Sequence, residues 1–358
     1  MVTLLMPSSK QIKNKRVLVT GGLGFIGFNV ASYFAPGNRV LVVDDASRTG
    51  VENNIKRLAE RKIDFVQADI SSFPVLKKIF EQFHPNIVIH MAAQVAVTTS
   101  IVDPVRDFYA NALGSFNLLE LARQCAPQPI LLYASTNKVY GCDNANVELR
   151  DGRYQMADAF GYSEKTPLSF ETPYGCSKGA ADQYCLDYHR IFGVPTVVFR
   201  QSCIYGPNQY GLEDQGWVAW FGICAAFHKP ITIFGDGNQV RDVLYIDDLL
   251  ALYEKSIVHI DRLQGQAFNI GGGPAYTLSP NELVRMLERK TGKSVAVNYA
   301  QWRPRDQKVY ISDIRKIAAC LDWQPQVDPE TGIQRLLGWI NDEQESVSLV
   351  HEQLRLGK

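Results

Sequence analysis

A short apolar run, Val17-Leu18-Val19, leads into a glycine cluster, Gly21-Gly22-Leu23-Gly24-Phe25-Ile26-Gly27, and a helical pattern follows from Phe28. Strand, glycine turn and helix in that order bring backbone N–H groups and a helix dipole to one point, where a pyrophosphate can rest. Gly21 permits the tight turn, Gly24 lets phosphates approach the backbone, and Gly27 lets the helix pack close to the strand. The spacing is G-x-x-G-x-x-G rather than the commoner G-x-G-x-x-G, and a lone glycine motif is weak. Asp44 strengthens it. This carboxylate ends the next apolar run, residues 39–43, at about the 20-residue distance of a ribose-binding acid. A ribose hydroxyl can donate to Asp44, and its charge repels a 2′-phosphate, so NAD is expected over NADP. Asp45 adds negative charge. Arg48 points the other way, because an arginine nearby can accommodate that phosphate.

The rest of the chain reads as a doubly wound α/β protein. Strand candidates at 17–20, 40–43, 65–68, 87–90, 130–134 and 196–199 are continuous apolar runs. That is the pattern of parallel strands buried on both faces. Helical patterns lie between them, at 75–82 and 110–124. We divide the chain into an extension at 1–14, a Rossmann-type dinucleotide-binding domain at 15–200, a smaller α+β substrate-binding region at 201–345 with interleaved segments, and a tail at 346–358. Within the third part, Ser279-Pro280-Asn281-Glu282 reads as a helix start with a capping box. Residues 142–172 read as a long loop over the active site.

Composition removes other classes. The net formal charge is zero and no basic stripe with interleaved aromatics occurs, so no nucleic-acid partner is expected. No apolar run approaches the roughly 18 residues of a membrane span. The first six residues are apolar but too short for a signal core. The seven cysteines include no C-x-x-C pair. They suit reduced cytoplasmic thiols rather than a disulfide or metal framework.

The chemistry concentrates in Thr136, Tyr174 and Lys178. Tyr174 and Lys178 are four apart, on one face of a helix. A lysine ammonium, like the positive ring of an oxidised nicotinamide, lowers the cost of a tyrosinate. The tyrosine pKa, about 10 in isolation, is then expected to fall toward neutrality. A tyrosinate can take the proton of a sugar hydroxyl while hydride leaves the same carbon. Thr136 follows a strand, at the end where open α/β sheets bind ligands, and its hydroxyl can hold the reacting oxygen.

With the glycine turn, His90-Met91-Ala92-Ala93, Thr136-Asn137-Lys138-Val139-Tyr140-Gly141, Tyr174-Gly175-Cys176-Ser177-Lys178 and Arg241-Asp242-Val243, the chain resembles an extended short-chain dehydrogenase/reductase of the nucleotide-sugar epimerase/dehydratase family, from Val17 to about Asp328. Within it the resemblance is closest to the branch that epimerises carbon 2 of a CDP-linked sugar. It implies a tightly bound NAD, recycled in place: oxidation at a sugar carbon, reorientation, and return of the hydride to the other face. It assigns Tyr174 as acid and base, Lys178 to tuning and the nicotinamide ribose, and Thr136 to the sugar hydroxyl. Gly21, Gly24, Phe25, Ile26, Gly27, Asp44, Asp69, Ile70, Ala92 and Ala93 fall to the cofactor. Arg241 and Arg303 match the arginines that clamp the substrate diphosphate, with Arg305 the competitor to Arg303. It also implies a homodimer or homotetramer. Related 4,6-dehydratases follow the strand-end threonine with an Asp-Glu pair. Asn137 and Lys138 stand there instead, which favours epimerisation, although Asn137 also reads as a plain turn residue.

Other residues read more blandly. His90 suits a packed position, Trp217, Trp220 and Phe221 suit core more than pocket, and Asp247 suits a helix N-cap. The alternatives are another nucleotide-sugar enzyme, such as a UDP-glucose 4-epimerase or a reductase, and a dinucleotide-sensing protein without catalysis. The base, cytosine or uracil, stays open.

Overall fold

Seven parallel strands carry the fold in the computed structural model, which describes residues 11–48, 50–142, 147–303 and 305–356, with side chains through Glu352. They are β1 (Arg16–Thr20), β2 (Arg39–Asp44), β3 (Asp64–Gln67), β4 (Ile87–His90), β5 (Ile130–Thr136), β6 (Thr196–Gln201) and β7 (Gln266–Ile270). Their spatial order is β7-β6-β5-β4-β1-β2-β3. The order reverses beside β1, the switch point at which Rossmann sheets bind dinucleotides. Register fixes the site's floor. Thr20 lies beside both Val43 and His90, and Thr136 beside Gln201.

Alternate strand residues bury against opposite helical layers. Val17, Val19, Val42, Ile89, Leu132 and Phe199 face one core. Leu18, Leu41, Val43, Val88, Leu131 and Val198 face the other. Both faces are covered along every strand except the edge strand β3, which is mostly exposed, and this accounts for the unbroken apolar runs of the inner strands.

Three helices matter for the site, α1 (Phe25–Phe34), α2 (Pro104–Phe108) and α3 (Thr172–Phe192), and a further one, α4 (Pro280–Thr291), lies in the C-terminal part. The capping box at α4 forms in both directions, Ser279 Oγ accepting from Glu282 N–H and the Glu282 carboxylate from Ser279 N–H. A turn of π-helix, Tyr109–Leu113, follows α2.

Several sequence expectations meet a different structure. β7 comes from beyond residue 200 and completes the sheet beside β6. Ile12, in the expected extension, is buried, and Gln11 N–H donates to Glu254; residues 1–10 lie outside the described residues. The tail belongs to a helix, Gln344–Leu356, with Val347 and Val350 buried. The expected long loop instead holds an antiparallel hairpin, Val147–Arg150 with Arg153–Met156. Its turn is Asp151-Gly152, both at positive φ, as two-residue hairpins require. The hairpin leans on the C-terminal part through Tyr154 to Asp236 and Arg153 to Thr277, and residues 143–146 lie outside the described residues. The helix Ile246–Val258 takes Tyr245, not Asp247, as its N-cap; Asp247 sits in the first turn and pairs with Arg335 at 3.4 Å.

Candidate active site

A cavity of about 560 Å³ runs along the carboxyl ends of β1, β2, β4 and β5. Gly21, Gly24, Phe25, Ile26, Gly27, Asp44, Asp69, Ile70, Ala92 and Ala93 line it, and so do Thr136, Tyr174 and Lys178. The glycine end and the tyrosine end therefore share one space.

The glycine turn is shaped by backbone sterics. Gly21 has φ +69, and a Cβ there would strike the backbone of Ala92. A Cβ on Gly27 would run into the Gly21 carbonyl. Gly24 is different, since a Cβ there meets only ordinary contacts. It is the N-cap of α1, and its missing side chain leaves the helix N-terminus open to the cavity. A phosphate fits a cradle of that kind. Asp44 accepts from Leu23 N–H at 3.1 Å and from Ala46 N–H at 3.0 Å. Burial raises its pKa, and the two N–H groups oppose that. The carboxylate is thus both a clamp on the turn and a wall of the cavity. Arg48 lines the same wall and donates to Gln215 at 3.1 Å. These residues fit a dinucleotide.

At the other end, β5 runs on to Thr136, whose hydroxyl accepts from Lys138 N–H and donates to Asn137 Oδ1, both at 3.3 Å. Tyr174 and Lys178 lie in the first two turns of α3, 8 % and 3 % exposed. The Lys178 ammonium sits 4.3 Å above the Tyr133 ring. Burial raises the Tyr174 pKa to about 12, opposed by a hydrogen bond with Thr136 and reinforced by Asp107. In the protein without its cofactor, burial therefore sets the direction for Tyr174; the expected fall toward neutrality depends on the positive nicotinamide ring as well as on Lys178. Burial lowers Lys178 to about 8, and Cys185, Asp182 and Asp107 oppose the shift.

His90 is buried between Thr20 (2.7 Å) and Ser115 (2.8 Å). Burial holds its pKa well below the ordinary value, and Lys178 pushes the same way. It is a packed, neutral residue. Trp217 lines the cavity, Phe221 is buried core, and Trp220 stacks on His351.

The two arginines expected at the diphosphate are not brought to this cavity. Arg241 donates to Asp306 at 2.8 Å and to the Gln307 carbonyl at 2.5 Å. Arg303 donates to Asp214 at 2.7 Å and stacks on Phe234 at 4.1 Å. Arg305 is exposed, 3.9 Å from Glu171. Sequence reasoning missed the wall formed by Gln94, Arg106, Ser135 and Gln201. It also missed Asp107 and Ser177, which meet across 70 positions of chain. Only the place of Ser177 on the Tyr174 face of a helix signalled it.

A doubly wound sheet, a dinucleotide cradle at its switch point and a Thr/Tyr/Lys set in the same cavity define a short-chain dehydrogenase-type enzyme. The profile of the NAD dependent epimerase/dehydratase family matches residues 17–271, and the chain belongs to that family; NAD is the cofactor that membership assigns to the cavity. It is 42 % identical to a CDP-paratose 2-epimerase of Salmonella typhi over 90 % of this chain and 98 % of that one. It is 33 % identical to a UDP-glucuronate 4-epimerase of Thermodesulfobacterium geofontis, over 93 % and 98 %. Among solved structures, UDP-glucuronic acid 4-epimerase from Bacillus cereus, in complex with UDP-glucuronic acid and NAD, superimposes with a TM-score of 0.79 at 28 % identity, over 91 % and 99 % of the chains.

Proposed function

We propose that this enzyme epimerises carbon 2 of a CDP-linked sugar, converting CDP-paratose to CDP-tyvelose. The observation that carries the reading is one cavity holding Thr136, Tyr174 and Lys178 together with the glycine turn and Asp44. The 42 % identity to a CDP-paratose 2-epimerase supports the sugar and the base.

NAD, held by the glycine turn and Asp44, would supply the acceptor and donor for the hydride of the sugar carbon. Tyr174 takes the proton of the 2-hydroxyl and gives it back after the keto-sugar has presented its other face. Thr136 holds that oxygen. Lys178, with a pKa of about 8, remains mostly an ammonium at neutral pH and favours the tyrosinate. Asn137 and Lys138 follow Thr136. Asn137 accepts from that threonine, and half-buried Lys138 is 3.9 Å from Asp306. Neither offers the carboxyl group that a dehydration needs, which favours epimerisation. Arg241 and Arg303 remain our candidates for the diphosphate, which would replace Asp306 and Asp214 as their partner. An arginine fork suits phosphate oxygens as well as carboxylates.

The test is product analysis after incubation with CDP-paratose and, separately, UDP-glucose. Turnover of CDP-paratose without added NADH is expected. Activity on UDP-glucose alone would move the reading to a 4-epimerase, and stoichiometric NADH consumption to a reductase. Tyr174→Phe should lower turnover by about 100-fold or more, with nucleotide retained; near-normal turnover would remove Tyr174 from its role.

We also infer a homo-oligomer. Val105 and Phe108 on α2 and Tyr109 directly after it are more than half exposed apolar side chains within five residues of chain, a clustering that suits an interaction surface. Sedimentation at micromolar concentration should give a dimer or tetramer, and a monomer would end this inference. A cytoplasmic location accords with seven free thiols and with no helix among the described residues long and apolar enough to cross a membrane. Cell fractionation that finds the protein in an oxidising compartment would contradict it.

A further inference from the structure

The buried carboxylate of Asp107 has no part in the chemistry above, yet it lies against the helix that carries it. Asp107 projects from α2 and is fully buried. It accepts from Ser177 Oγ at 2.5 Å, Gln94 Nε2 at 3.1 Å and Asn111 Nδ2 at 3.1 Å. Each partner is itself tied. Asn111 Nδ2 shares its two hydrogens among Asp107, Ser177 Oγ (3.0 Å) and the Gln94 carbonyl (3.0 Å), while Gln94 N–H donates to Asn111 Oδ1 at 2.8 Å. Asn111 sits in the π-helical turn, where the widened backbone is a local departure from α-helix. Gln94 lines the cavity. Ser177 stands three residues after Tyr174 and one before Lys178. One carboxylate therefore joins α2, the π turn, the cavity wall at Gln94 and the catalytic stretch of α3.

We propose that Asp107 is a positioning residue of the reaction, tethering α3 through Ser177 and supplying a fixed negative charge beside Tyr174 and Lys178. The proposal rests on the assignment of those two residues under Proposed function. A buried carboxylate is costly unless it is fully hydrogen-bonded, and here donors arrive from three separate segments. A tether of this kind sets where the phenol oxygen sits, and misplacement near 1 Å costs about 100-fold in rate. The charge acts on the two ionisations directly, since Asp107 raises both the Tyr174 and the Lys178 pKa. Burial raises its own pKa, opposed by Ser177, Gln94 and Lys178. The titratable groups it faces are thus Tyr174 and Lys178. Its other hydrogen-bond partners are neutral, and Arg106 on its own helix turns to Ser47. Lys178 also faces Asp182, Cys185 and His90.

The experiment is the pH profile of turnover, on the cofactor-loaded enzyme, for the parent, Asp107→Asn, Ser177→Ala and Tyr174→Phe. In Asp107→Asn, kcat should fall by about 10-fold or more with KM unchanged, and both limbs of the profile should move to lower pH. Ser177→Ala loosens the tether and keeps the charge, so kcat should fall with the limbs in place. A profile for Asp107→Asn that superimposes on the parent would overturn the proposal. Should that variant not fold, a parent-like kcat in Ser177→Ala would overturn it instead. Parent-like turnover in Tyr174→Phe would sink the underlying assignment, which is a separate outcome.

Discussion

The carboxylate of Asp44 accepts from Leu23 N–H and Ala46 N–H, so it serves as turn clamp and strand-end cap beside the role at a ribose that we propose for it. A carboxylate has about four lone-pair sites, so two are left for ligand hydroxyls. Asp44→Asn replaces one acceptor oxygen with a donor and removes the charge. Charge-assisted hydrogen bonds contribute about 1.5 kcal/mol or more. NAD affinity, measured by calorimetry, should therefore fall about 10-fold, and discrimination against NADP should shrink. Unchanged affinities for both would remove Asp44 from the cofactor. At this scale the sequence was informative wherever spacing itself is chemistry, as in Tyr174 with Lys178 or Gly21 with Gly27. It was uninformative on pKa, because the direction for Tyr174 is set by burial, and no spacing encodes burial.

Elements follow the same division. The six strands expected from apolar runs all form, and β5 extends through Thr136, which puts that hydroxyl at the strand end. The seventh, β7, was missed because Gln266 and Asn269 interrupt its apolar run. Asn269 is nevertheless fully buried, its amide matched by Tyr140 OH and the Tyr162 carbonyl. Such partners are legible only in three dimensions. The 147–156 hairpin was legible and was overlooked. Its Asp-Gly turn is a strong hairpin signal, and the flanking segments alternate, with Val147, Leu149, Tyr154 and Met156 on one face. The α4 start was fully legible, since a capping box is local. Ser279→Ala should lower stability by about 1 kcal/mol, measured as a shift in the urea midpoint at constant slope.

Across the whole molecule, the C-terminal part is joined to the sheet by a buried polar seam. Asp242, beside Arg241, accepts from Ser202 Oγ at 2.5 Å and from Gly273 N–H at 3.2 Å, and is fully buried. Burial pushes its pKa up to about 6, against an ordinary 3.8, with the hydrogen bonds opposing. The folded state therefore binds the proton more tightly than the unfolded chain does. This contribution to stability is complete below about pH 4 and is lost as pH rises through about 6. Asp242→Asn cannot titrate. The stability of the parent minus that of Asp242→Asn, from urea unfolding, should be larger at about pH 4 than at about pH 7.5. A difference that is flat with pH would contradict this origin.

The amino-acid sequence alone determined the dinucleotide turn, the parallel sheet and the Thr/Tyr/Lys set, because each depends on backbone sterics or short periodicity within a few residues. Tertiary structure alone decided that the glycine turn and Tyr174 share one cavity, that Arg241 and Arg303 lie on Asp306 and Asp214, and that Asp107 reaches Ser177. Those contacts join residues from 65 to about 150 positions apart. Their strength comes from burial and mutual hydrogen bonding, and both exist only once the sheet has brought the segments together.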